Sequence, residues 1–62
     1  MNNISMIPIY NKWTAVRLNE VYHIPVMGIR ENNKIKGELV FFFERTDELV
    51  KLLREQFDIK VN

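Results

Sequence analysis

The chain has 62 residues, no cysteine, one histidine and a formal net charge of +1, and 47% of its residues are apolar. These figures exclude a disulfide scaffold, a thiolate or histidine-cluster metal site, and attraction to nucleic acid or anionic membrane by bulk charge alone. They describe a single small domain, 1–62, whose core is marginal unless packing is unusually good or a second subunit helps.

Met1 to Ser5 lacks the basic and apolar blocks of a signal peptide, and no apolar run approaches the roughly 18 residues of a membrane span. A soluble, cytoplasmic chain is therefore expected, with no linker and no internal repeat.

Met6 to Tyr10 and Trp13 to Leu18 read as strands, with Asn11-Lys12 as the turn between them. This places Tyr10 opposite Trp13 and Ile7 opposite Val16. Pro8 has no N–H to give to a ladder, so the first strand belongs at a sheet edge. Asn19-Glu20 connects onward. The parity of that connection decides whether Trp13 and Ala15, or Val16 and Leu18, share a face with the later phenylalanines.

Two further strand-like runs flank Asn32-Asn33. Asparagine tolerates the positive φ that a two-residue hairpin turn requires. Closing the hairpin there pairs Glu31 with Lys34, Gly28 with Gly37, Val26 with Leu39, Ile24 with Phe41 and Tyr22 with Phe43. Within Phe41-Phe42-Phe43 the side chains alternate, so Phe41 and Phe43 share one face and Phe42 takes the other.

The last third predicts a helix over 47–57. Thr46 is its N-cap, and Asp47 and Glu48 sit at the positive end of the helix dipole. Leu49, Leu52, Leu53 and Phe57 fall on one stripe. Ile59 to Val61 alternates like a short terminal strand. The expected fold is α+β: an antiparallel sheet of about four strands, as a meander or a small barrel, followed by one C-terminal amphipathic helix packed on one face.

No catalytic constellation is marked. His23 has no spaced partner, Glu38 and Glu44 are too far apart along a strand to share a proton, and Gly28 and Gly37 do not form a phosphate loop. No cofactor, metal or small-molecule substrate is implied. Two binding readings are left. The leading one is a non-enzymatic protein-binding module that self-associates or acts as a small adaptor or inhibitor, a role often filled by proteins of phages and mobile elements. Its candidate surface is Phe42, Val40, Met27 and Ile29, because a single helix leaves the second sheet face uncovered and aromatic residues and Met are enriched at interface cores. The bland alternative is that the chain's own ends fold over those residues. The other reading is single-stranded nucleic-acid binding by Tyr10, Lys12, Trp13 and Arg17, which interleave stacking rings with cations. Against it stand the small net charge and the greater frequency of tryptophan as a core residue in small domains.

Overall fold

The computed structural model describes residues 5–61. The element order is β1 (Met6–Ile9), α1 (Lys12–Glu20), β2 (Gly28–Glu31), β3 (Leu39–Glu44) and α2 (Asp47–Phe57). The class is α+β, but the described residues form three strands and two helices rather than about four strands and one helix. The sheet is antiparallel with order β1-β3-β2. It is open, with β1 and β2 as edges, so the small barrel does not form.

The segment Trp13 to Leu18 is helical. Asn11, expected in a hairpin turn, is instead the N-cap: it is extended, and its Oδ1 accepts from the N–H groups of Trp13 (2.9 Å) and Thr14 (3.2 Å). This satisfies two donors that a helix start otherwise leaves unpaired. Ala15 and Leu18, three apart, are the residues α1 buries. A run of six residues fits both strand alternation and helical spacing, and the asparagine cap decides between them. With the first hairpin gone, the pairings of Tyr10 with Trp13 and Ile7 with Val16 do not occur. β1 pairs with β3 instead, placing Ile7 opposite Phe43 and Pro8 opposite Phe42. Pro8 does lie in an edge strand.

The second hairpin has a different register. Asn32 Oδ1 accepts from the N–H groups of Lys34 (2.8 Å) and Ile35 (3.3 Å), and the Asn32 N–H donates to the Glu38 carbonyl at 2.8 Å. The asparagine side chain thus builds its own turn, an alternative to the two-residue type I′ turn. Residues 33–37 become the loop, and Gly37 takes φ +90°. Gly28 then stands opposite Phe42, Ile29 opposite Phe41 and Glu31 opposite Leu39. An odd shift in register exchanges faces, so Ile29 moves to the side of Phe41. Tyr22 to Val26 leave the ladder and return from the end of α1 against the core.

Both helices cover the same face of the sheet. Ile7, Ile9 and Phe43 from the strands meet Ala15 and Leu18 of α1 and Leu49 and Leu53 of α2. Phe41 also faces this core, and Phe42 points to the opposite side, as strand alternation requires. Thr46 caps α2 through its Oγ1, 3.1 Å from the Leu49 N–H. Ile59 to Val61 is not a strand; Ile59 and Val61 pack as irregular chain on the helix-side core.

A structural repeat, absent from the sequence expectation, relates the two halves. Asn11 and Thr46 are both N-caps. Leu18 and Leu53 are both fully buried. Their carbonyls accept from Ile24 (3.0 Å) and Ile59 (2.9 Å). His23 and Asp58 are the two left-handed non-glycine residues among those described, at φ +59° and +55°. Val26 and Val61 both pack on the core. Every pair has the same offset in numbering, 11 to 46 through 26 to 61. Tyr22 and Phe57 obey the same offset and touch each other, edge to face, with ring centroids 6.0 Å apart. The offset does not extend to the strands, where it would carry Ile7 and Ile9 of the helix-side core to Phe42 and Glu44 on the opposite face, so what recurs is a cap–helix–return segment.

Left-handed backbone favours glycine over residues bearing a Cβ by about 1–2 kcal/mol. At His23 and at Asp58 the glycine variant is therefore expected to be more stable than the alanine variant by about 1 kcal/mol, measured by urea denaturation. Equal stability of glycine and alanine at either site would contradict the left-handed cap.

Candidate functional site

The sheet face opposite the helices carries the candidate site. By register, Met6 and Pro8 of β1, Val40 and Phe42 of β3, and Gly28 and Arg30 of β2 lie on it. Met27 joins them. Its N–H donates to the Phe42 carbonyl at 2.8 Å, so Met27 and Gly28 both stand opposite Phe42, as in a β-bulge. Two grooves meet at Phe42. One, lined by Met6, Met27, Gly28 and Arg30, runs along the β1-to-β2 direction. The other, of about 580 Å³, lies under the 32–35 turn and includes Tyr10, Ile35 and Val40. Of the chain's two ends, the 59–61 tail lies on the other side of the sheet, whereas the N-terminal strand stands beside Phe42, with Pro8 opposite it.

The four residues expected to form one surface are divided. Phe42 is half-buried and Met27 is exposed beside it. Val40, at 6% exposure, is the buried floor of the larger groove. Ile29 is 55% exposed, but it belongs to the helix-side face, next to Leu39 at the β2 edge. Met6, Tyr10 and Ile35 are neighbours of Phe42 that the sequence reading missed. The alternation Met6-Pro8-Tyr10 carries that signal, and it becomes legible only once β1 is paired with β3 across an intervening helix.

The aromatic and basic group is also divided. Trp13 is 72% exposed at the first turn of α1, not in the core, and Tyr10 is exposed just before it. The Lys12 Nζ lies 5.9 Å from the Trp13 ring centroid. Arg17, one helical turn on from Trp13, directs its guanidinium onto the Phe57 ring at 5.6 Å. Such a contact is worth about 0.5–1 kcal/mol at an exposed position, and it ties Arg17 to α2. His23, which lies next to Tyr22 and Ile24 in the expected second hairpin, sits instead exposed just beyond α1, in the left-handed region.

Among the described residues no group of three or more His, Asp or Glu side chains is placed to hold a metal ion. No helix among them is long and apolar enough to cross a membrane. No buried polar side-chain atom among them lacks a hydrogen-bond partner. The described residues display apolar surface, edge backbone and a few exposed rings. Comparison with protein-family models, with curated proteins and with solved structures finds no match, so a functional reading rests on these residues and their geometry.

Proposed function

We propose that this chain is a non-enzymatic protein-interaction module that binds through the open face of its sheet. One observation carries the reading: both helices cover one face, while Met6, Met27, Phe42, Tyr10 and Ile35 form an apolar belt on the other. Contiguous apolar surface rimmed by polar groups, here Arg30, Glu31 and Lys34, is the usual anatomy of a protein-binding patch. Aromatic and methionine anchors at its centre supply most of the binding energy in such patches.

Phe42→Asp is expected to keep the fold, because the residue is half-buried and faces away from the helix-side core, and to abolish capture of the physiological partner. The check compares wild type, Phe42→Asp and Trp13→Ala as baits, with far-UV circular dichroism on each. Any protein retained by wild type is then purified and its affinity for all three is measured. Equal affinity for wild type and Phe42→Asp overturns the open-face reading.

A second reading has its own observation. Trp13 and Tyr10 are exposed next to Lys12, an arrangement that can stack single-stranded bases. Titration of oligonucleotides against Trp13 fluorescence at low salt tests it. Quenching that weakens steeply with salt supports nucleic-acid binding, and an unchanged spectrum removes it.

A further inference from the structure

The two edges of the sheet differ, and the difference points to a second copy of this chain. Along β1 the Arg45 N–H donates to the Ser5 carbonyl at 2.9 Å. Antiparallel ladders alternate, so Ser5, Ile7 and Ile9 direct their backbone groups at β3, and Pro8 directs its own to the outside. The missing N–H of Pro8 therefore falls on the outer edge, where it blocks strand addition. On β2 the Asn32 N–H donates inward to Glu38. The same alternation sends the N–H and C=O groups of Ile29 and Glu31 outward. This edge has no proline, no covering segment among the described residues, and a 55% exposed isoleucine at its centre.

We propose that β2 pairs antiparallel with β2 of a second copy, about a two-fold axis at Ile29, to give a continuous six-stranded sheet. This goes beyond partner binding at the open face, because it uses the edge and leaves Met6 and Tyr10 free. Only pairs between outward-directed residues make the ladder, which leaves three registers. Pairing Ile29 with Glu31 sets Arg30 opposite Arg30 of the second copy. Pairing Glu31 with itself sets two carboxylates opposite each other. Like charges directly opposite on a sheet are unfavourable. Pairing Ile29 with itself has neither fault. It joins the two isoleucines on the helix-side face next to Leu39, and it places each Arg30 across Gly28 of the other copy.

Gly28 fits that arrangement. A Cβ built on it meets nothing within 4 Å, and its φ is not in the left-handed region. Neither backbone freedom nor crowding within the chain requires glycine there. What the missing side chain leaves is room beside Phe42, which stands opposite Gly28. In the self-paired register the guanidinium of the second copy's arginine enters that room and reaches the Phe42 ring, where a cation is attracted to the aromatic face.

The chain has no cysteine, so single substitutions report the register without side reactions. Opposed residues in a hydrogen-bonded antiparallel pair have Cα atoms about 5.5 Å apart, within disulfide reach. With oxidised glutathione, Ile29→Cys is expected to form a covalent dimer rapidly, and Arg30→Cys and Glu31→Cys are expected to do so at least about tenfold more slowly, since only the first lies on the axis. Without oxidant, sedimentation of wild type over a concentration series is expected to rise from 7.5 kDa to twice that mass. Ile29→Lys and Gly28→Val are expected to weaken dimerisation by about tenfold or more. Gly28→Val should also keep or raise the melting temperature of the monomer, because valine suits a strand and meets no neighbour there. A wild-type chain that stays monomeric at millimolar concentration overturns the proposal. So does a dimer that survives both edge variants but is lost in Phe42→Asp, since that assembly uses the open face. Equal crosslinking at positions 29, 30 and 31 overturns the register.

Discussion

Phe43→Ala is expected to leave the chain largely unfolded at 25 °C, and Phe42→Ala, one residue away, is expected to leave it folded. Phe43 is 0% exposed and stands between β1 and both helices. Truncating a buried phenylalanine costs about 3–5 kcal/mol in transfer free energy and residual cavity. A domain of this size rarely holds more than about 3–5 kcal/mol in total, so the loss is of the order of the whole. Phe42 is half-buried and lies on the face with no helix, so its truncation removes less contact and opens no enclosed cavity. Phe41, also half-buried but on the helix side, falls between the two. Far-UV circular dichroism and the dispersion of methyl proton signals are the suitable readouts. Trp13 fluorescence is not, because that ring is already solvated in the folded state. If the Phe42 and Phe43 variants lose equal stability, the two faces of β3 are equally covered and the open-face reading loses its basis.

That contrast was legible in the sequence, because strand alternation is local and depends only on β3 being a strand. The α2 helix was legible for the same reason: the Thr46 cap and the leucine stripe lie within a few residues of each other. What escaped was set by competition between local options or by long-range pairing. Asn11 and Asn32 each have a side chain able to replace a backbone partner, and in both cases it did so. One started a helix where a turn was expected; the other widened a turn and moved Ile29 to the opposite face. The pairing of β1 with β3 spans α1 and β2, so the neighbourhood of Phe42 could not be assembled from adjacent segments. The repeat was hidden because what recurs is structural role rather than residue identity: Asn11 and Thr46 differ, as do His23 and Asp58, yet each pair does one job.

Leu18→Ala and Leu53→Ala are expected to be nearly as damaging as Phe43→Ala, and equally so. Each leucine is fully buried, and each carries the carbonyl that accepts the N–H of the isoleucine beyond its helix. Truncation of a buried leucine costs about 2–5 kcal/mol, the spread reflecting how far a site can collapse. Each leucine holds the same place in a cap–helix–return segment, so their costs are expected to agree to within about 1 kcal/mol. Both variants need to be measured by urea denaturation in added sulfate, which strengthens apolar burial and keeps them on scale. The double variant is expected to depart from the sum of the two, since both leucines belong to one core. The repeat is looser elsewhere in the helices: Ala15 is buried where Val50 is half-buried, and the buried Leu49 corresponds to the half-buried Thr14. A large inequality between the two leucines, with additive losses, would mean that the helices dock on the sheet independently. The Tyr22–Phe57 contact would then be only a meeting of the two helix ends.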